Sequence, residues 1–170
     1  MNIIYTVGHS TRSIEEFIAL LQANRIEIVI DVRRIAQSRR NPQFGESALC
    51  ESLKERGIMY KRMEGLGGLR HTSDSSANKA WKNLSFRGYA DYMQTPEFSE
   101  SIGELIETGR EKRTAIMCAE AVPWRCHRSL ISDALVVRGV RVADIISAKE
   151  NRFHELTSFA RVEGKSITYP

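Results

Sequence analysis

Two cysteines, a glutamate, a histidine and an arginine crowd one stretch of the chain, Met117-Cys118-Ala119-Glu120-Ala121-Val122-Pro123-Trp124-Arg125-Cys126-His127-Arg128. These residue types supply nucleophiles, proton carriers and anion ligands. The apolar run 114–118 is too brief for a helix and suits a buried strand. Pro123 interrupts any continuation, and Leu130, Ile131, Ala134 and Leu135 then recur at helical spacing. The pattern predicts strand, tight turn, helix. Cys118 and Glu120 then fall at the carboxyl end of the strand, and Cys126, His127 and Arg128 in the first helical turn. In a parallel α/β sheet that crevice binds ligands, because strand ends and free helix N–H groups converge there. His127 lies three and four positions before Leu130 and Ile131, on the sheet-facing side.

Simpler roles compete with catalysis at each position. Cys118 in an apolar strand suits core filling, and His127 suits capping or packing. Cys126 differs, because a helix start lowers the pKa of a thiol. A tyrosine-phosphatase-type loop needs Cys and Arg six positions apart, but Trp124 holds that place and Arg125 comes one later. The adjacent pair Cys126-His127 is poor zinc spacing, so no metal is expected, nor any other cofactor.

The elements that must position these groups can be read in order. Residues 3–7 form a first strand, and Gly8-His9-Ser10-Thr11-Arg12 the turn leaving it, which puts His9 at another carboxyl strand end with Ser10 and Arg12 as candidate substrate contacts. Ser13 and Glu16 make a capping box for a helix with Ile14, Phe17, Ile18 and Leu21 on one face, ending near Asn24 in a left-handed cap. Residues 27–32 are a second strand, laid beside the first by a right-handed crossover. Asp31 ends it, either paired with an arginine or acting as an acid, base or orienting group. Arg33, Arg34, Arg39 and Arg40 follow with Ser38 and Asn41. A solvated basic loop is one reading; the preferred one is phosphate contact by forked guanidinium groups.

A helix over 47–56 buries Leu49, Cys50 and Leu53, and a third strand follows at 58–63. The glycines Gly65, Gly67 and Gly68 allow close backbone approach to a ligand, although no P-loop ending is present. Residues 71–85, polar and serine-rich, read as a mobile excursion long enough to act as a lid. Two helices come next, over 86–93 and from Thr95-Pro96 to about Gly109, the second buried through Phe98, Ile102, Leu105 and Ile106. A strand over 140–146 leads to a carboxyl extension, 150–170. There Phe153, Leu156 and Phe159 suggest amphipathic turns, His154 a surface residue, and 166–169 a last edge strand.

The 170 residues suit one domain, and a hydrophobic fraction of 42% with 27% charged residues is that of a soluble globular chain. The amino terminus shows no signal-peptide pattern, no apolar stretch approaches a bilayer span, and three cysteines without framework spacing suit a reducing cytosol. A cytoplasmic protein without membrane contact is expected. The net charge of +4 favours an anionic small molecule or nucleic acid as partner.

Thr6-Val7-Gly8-His9-Ser10, Asp31-Val32-Arg33, Ser38-Arg39-Arg40-Asn41-Pro42-Gln43-Phe44, Leu66-Gly67-Gly68, Met117-Cys118-Ala119-Glu120 and Cys126-His127-Arg128 arrive together in the order of the bacterial and archaeal family named domain of unknown function 488. The chain resembles that family over roughly residues 3 to 146. The resemblance implies a compact cytosolic α/β domain and no particular reaction. Ala36 stands where the family usually has proline, and Asp144 where it often has histidine, so no role carries to Asp144.

The expected architecture is a single α/β domain, a mostly parallel sheet with helices on both faces. His9, Asp31, Cys118, Glu120, Cys126 and His127 are the catalytic candidates. Ser10, Arg12, Arg33, Ser38, Arg39, Asn41, Gly67, Gly68 and Arg128 are the substrate-binding ones. Two chemistries stay open for a hydrolase or group transferase on a phosphate-bearing, nucleotide-like or nucleic-acid substrate: carboxylate acid–base work by Asp31 and Glu120, or thiol attack by Cys126 or Cys118. The rival class is a non-catalytic nucleic-acid-binding or regulatory module that uses the same arginines.

Overall fold

Short apolar runs separated by amphipathic helices give an α/β fold, described in a computed structural model over residues 2–170. Met1, the first residue of the segment read for a signal peptide, lies outside the described residues. The chain runs β1 (Ile3–Gly8), α1 (Ile14–Ala23), β2 (Ile28–Asp31), α2 (Glu46–Glu55), β3 (Met59–Arg62), α3 (Leu84–Tyr92), α4 (Pro96–Glu111), β4 (Thr114–Cys118), α5 (Arg128–Val137), β5 (Arg141–Ile145), β6 (Asn151–Phe153), β7 (Arg161–Glu163) and β8 (Ser166–Thr168).

Six strands form one sheet in the order β3-β2-β4-β1-β5-β6. The first five are mutually parallel and β6 is antiparallel to β5. The second strand therefore does not lie beside the first: β4 separates them, paired with both. Burial explains this order. Every residue of β4 is buried, as a central strand covered on both faces requires, whereas β3 alternates between exposed and half-buried residues and takes the edge.

Alternate strand residues feed two cores. Val7, Val29 and Met117 pack with Phe17 and Leu21 of α1 and Leu49 and Leu53 of α2. Ile4, Ile30 and Ile116 pack on the other face with α3, α4 and α5 through Tyr89, Phe98, Ile102 and Leu130. The result is a single domain with helices on both faces.

Local signals mostly place the helix ends. Ser13 and Glu16 close the capping box, Ser13 Oγ accepting from the Glu16 N–H at 3.1 Å and Glu16 Oε1 from the Ser13 N–H at 2.9 Å. The left-handed residue after α1 is Arg25 (φ 55), not Asn24, whose side chain instead donates to the Leu20 carbonyl. Cys50 is exposed rather than core, because it sits one step around α2 from the buried Leu49 and Leu53. The fourth helix runs past Gly109 to Glu111.

The polar segment before α3 hydrogen-bonds to the rest of the fold. Thr72, Ser76 and Asn78 donate to the Asp91 carboxylate, and Asn78 Oδ1 accepts from the Tyr169 N–H. The carboxyl extension likewise differs from expectation. Phe153 belongs to β6, and β8 pairs with β7 in a separate two-stranded sheet. His154 is no surface residue: its Nε2 lies 2.7 Å from Oδ1 of the fully buried Asp133, which also accepts from the Tyr169 hydroxyl. Among the described residues no helix is long and apolar enough to cross a membrane.

Candidate functional site

Strands β1 and β4 are neighbours, yet β1 leads into α1 on one face and β4 into α5 on the other. Their carboxyl ends therefore diverge into a crevice of the kind that holds ligands in parallel sheets. Gly8 makes the close approach possible, since a Cβ there would stand 1.7 Å from the Glu120 carbonyl oxygen. Pairing continues beyond the strands, with the His9 N–H donating to the Cys118 carbonyl (3.0 Å) and the Ser10 N–H to that of Ala119 (2.9 Å).

The crevice opens into a cavity of about 330 Å³, within the range of small-molecule sites. Of the residues expected from sequence, His9, Arg33, Ser38, Gly68, Cys118, Glu120, Cys126 and His127 line it. Ser10, Arg39 and Asn41 lie in an adjoining cleft, which shares His9, Ser38 and Glu120 with the first.

His9 is buried and stacks on Phe44, ring centroids 4.4 Å apart. Its Nδ1 donates to the Ser10 carbonyl at 2.8 Å, leaving Nε2 as the bare lone pair of a neutral imidazole. Burial, aided by the Arg33 charge, holds its pKa below the ordinary histidine value. Nε2 is buried with no partner among the described residues.

Asp31 does not face the cavity as an acid or base. Its carboxylate is fully buried and grips Arg33 from both sides, Nε at 2.9 Å and Nη2 at 2.7 Å, while the Tyr60 hydroxyl donates to it at 2.5 Å. Burial alone would lower the Arg33 pKa, but this pairing raises it above the usual value. Asp31 is thus an orienting group for Arg33. The remaining nitrogen, Nη1, is buried without a partner among the described residues.

The cysteines form the opposite wall. Cys126 precedes the helix in extended conformation, and His127, not Cys126, is the N-cap of α5. The Cys118 and Cys126 sulfurs are 2.7 Å apart. Arg128, only 1% exposed, donates from Nε to Cys118 Sγ (3.0 Å), from Nη1 to Thr6 Oγ1 (3.0 Å), from Nη2 to the Glu120 carbonyl (2.6 Å) and from its backbone N–H to Cys126 Sγ (3.4 Å). No carboxylate among the described residues comes within ion-pair distance of it. Burial pushes the Cys126 thiol up, but the Cys118 hydrogen bond and Arg128 outweigh it and bring the pKa down to about 7. Cys118 moves the other way, held protonated by burial and by its bond to Cys126.

His127 Nε2 donates to the Val32 carbonyl at 2.8 Å, which fixes its tautomer and leaves the Nδ1 lone pair 3.6 Å from Cys126 Sγ. Burial keeps the ring neutral by lowering its pKa. Gly68 lies flat against this ring, where a Cβ would come within 3.1 Å of Nδ1.

Other expected residues lie away from the cavity or turn their side chains elsewhere. Arg12 donates to the Gly8 and Ile146 carbonyls and lines neither cleft. Gly67 packs against the Arg34 backbone. Arg128 does not line the cavity and spends its guanidinium on Cys118, Thr6 and the Glu120 carbonyl. Glu120 contributes its carbonyl to Arg128, while its exposed side chain lies at the rim. Among the described residues no group of three or more His, Cys, Asp or Glu side chains could hold a metal ion.

Sequence reasoning missed the apolar part of the site. Ile35 and Leu69, each 63% exposed, stand at the cavity with Phe86 and Tyr89. Two large aliphatic residues beside arginines and glycines were the available signal. It also missed Thr6 and Asp144: Thr6 Oγ1 donates to Asp144 Oδ1 at 2.5 Å while accepting from Arg128, so the acid at this position backs the buried cation through one hydroxyl.

No curated protein and no solved structure matches the chain in sequence or fold comparison. A family model described as domain of unknown function DUF488 matches residues 13–135, a span that holds Asp31, Arg33, both cavity cysteines, His127 and Arg128. Its match to most of the chain means that the protein belongs to the DUF488 family.

Proposed function

We propose that the protein is a thiol-dependent hydrolase or group transferase acting on a small phosphate-bearing, nucleotide-like substrate. One observation carries this reading: Arg33 and His9, each with a buried nitrogen (Nη1 and Nε2) that has no partner among the described residues, both line the cavity that Cys126 also lines. A buried polar atom left unpaired is costly, and a ligand offering an anionic oxygen to Arg33 and a hydroxyl or water to His9 satisfies both. Ile35, Leu69 and Phe86 supply apolar walls for a ring beside the charged seat.

In this scheme the Cys126 thiolate attacks the electrophilic centre, and Arg33 holds the phosphate. The bond from that centre to the leaving group breaks, and the leaving group departs with that electron pair and takes a proton from solvent. His9 Nε2, a neutral base, takes the proton of the water or acceptor hydroxyl that releases the intermediate. Asp31 and Tyr60 orient Arg33 and do not react. The engagement of Asp31 by Arg33 and the exposure of the Glu120 side chain favour the thiol route over carboxylate chemistry.

A second reading has its own support. Arg39 and Arg40 are exposed in the adjoining cleft with Ser10, Thr11 and Asn41, an arrangement that suits the backbone of a nucleic acid. Thermal unfolding at fixed salt with inorganic phosphate, a nucleoside monophosphate, a sugar phosphate and a short oligonucleotide separates the two. The small-substrate reading predicts a raised Tm with the nucleoside monophosphate, lost in Arg33→Lys, which keeps a cation for Asp31 but removes the free nitrogen. A rise with the oligonucleotide alone, falling steeply with salt, supports the second. No rise with any phosphate contradicts both.

A further inference from the structure

Arg128 presents an electrostatic problem that the fold solves with sulfur. A cation this deeply buried normally has a carboxylate partner, yet its side chain meets Cys118 Sγ, Thr6 Oγ1 and the Glu120 carbonyl. The second sulfur, Cys126 Sγ, is in direct contact with the first at 2.7 Å and accepts the Arg128 backbone N–H. Asp144 reaches the guanidinium only through Thr6. The two sulfurs thus take the place beside Arg128 that a carboxylate would ordinarily fill. Both cysteines, though buried, line the cavity, which is the route by which a small oxidant would approach them. Cys126 stands outside α5 in extended backbone, so its side chain can shift without unwinding the helix. Cys50, exposed on α2, lines neither cleft of the site.

We propose that Cys118 and Cys126 are a reversible redox couple that switches the site off when a small hydroperoxide enters the cavity. Resting on the Cys126 thiolate invoked for the proposed activity, it adds regulation of that site. The thiolate attacks one oxygen of hydrogen peroxide, the O–O bond breaks, and hydroxide leaves to become water on taking a proton. Cys126 is then a sulfenic acid, oxidised by two electrons. The Cys118 sulfur attacks that sulfenic sulfur, giving up its proton, and the departing hydroxyl leaves as a second water. A disulfide remains. An external dithiol returns both electrons and restores the two thiols.

Closing the disulfide removes the negative charge beside Arg128. The reduced pair is therefore the electrostatically favoured state, and the disulfide is readily reduced. Bond formation also consumes the nucleophile of the proposed reaction, so turnover stops until a dithiol is supplied.

The test uses the reduced wild-type protein. It is exposed to hydrogen peroxide at increasing molar ratio, quenched with iodoacetamide and mapped by mass spectrometry, with a second portion returned to dithiothreitol first. The expected result is joint loss of Cys118 and Cys126 from alkylation as one cross-linked peptide pair, with Cys50 still alkylated and full recovery in dithiothreitol. In Cys118→Ser, provided it folds by circular dichroism, a sulfenic acid trapped by dimedone replaces the cross-link. The wild-type map decides the matter if that variant does not fold. Continued alkylation of both cavity cysteines, irreversible oxidation of Cys126 without a cross-link, or disulfides formed only through Cys50 overturns the proposal. Phosphate or nucleoside monophosphate binding by the reduced protein is scored separately by its Tm. A missing cross-link with binding intact removes the switch alone, and a cross-link without binding removes the ligand reading alone.

Discussion

Two arginines are buried at the carboxyl edge of the same sheet, and the protein answers their charges differently. Arg33 is gripped by the Asp31 carboxylate and backed by Tyr60. Arg128 has two sulfurs, a hydroxyl and a carbonyl. The first arrangement is complete except for one nitrogen turned loose, as suits a residue built to hold something else. The second meets the charge with sulfur directly and with Asp144 only through the Thr6 hydroxyl. Under the proposed function the contrast puts binding on one wall and reactivity on the other, and it separates two carboxyl-edge residues, Asp31 and Cys126, that look equally chemical in the sequence.

Removing the acid at the first corner is the harshest way to probe this difference. Asp31→Asn leaves Arg33 buried without its counterion and is expected to cost about 3–5 kcal/mol in urea unfolding. A loss within the range of ordinary surface substitutions would mean that Arg33 is already solvated. At the second corner the larger signal is reactivity. Arg128→Met removes the charge that holds the thiolate, and the rate of Cys126 alkylation by iodoacetamide at pH 7 should fall by about tenfold or more, as its pKa returns toward the ordinary thiol value. An unchanged rate would assign the low pKa to something other than Arg128. Cys50 is the smallest effect and the control: Cys50→Ser, on the exposed face of α2, should change stability by less than about 0.5 kcal/mol.

The sheet, its parallel sense and the helices were legible because strand and helix periodicities write burial directly into the chain. Strand order was not. Nothing local in residues 28–31 reveals that β4, nearly ninety positions later, will pair with them, although the unbroken burial of β4 explains its central place. The site was half legible. Polar residues at strand ends pointed to the crevice, and eight of the expected residues line one cavity. Their division of labour depended on contacts between segments: Asp31 with Tyr60, His127 with Val32, Arg128 with Thr6. Cys50 was misplaced by one step of a helix. The tail was misread because three apolar residues at spacing three look helical until β6 pairs with β5 and His154 meets Asp133. The partner of the polar run 71–85, Asp91 in the next helix, was not legible in the run itself.

The central claim is that the Cys118 hydrogen bond and the Arg128 charge hold the Cys126 thiol below its ordinary pKa. The pH dependence of Cys126 alkylation, followed by mass spectrometry of its own peptide from pH 5 to 10, reads this directly. A thiol is reactive only once deprotonated, so the rate should rise with pH and reach half its plateau near pH 7, where the lowered pKa lies. A midpoint at about 8.5 or above, the range of an unperturbed thiol, would contradict the account.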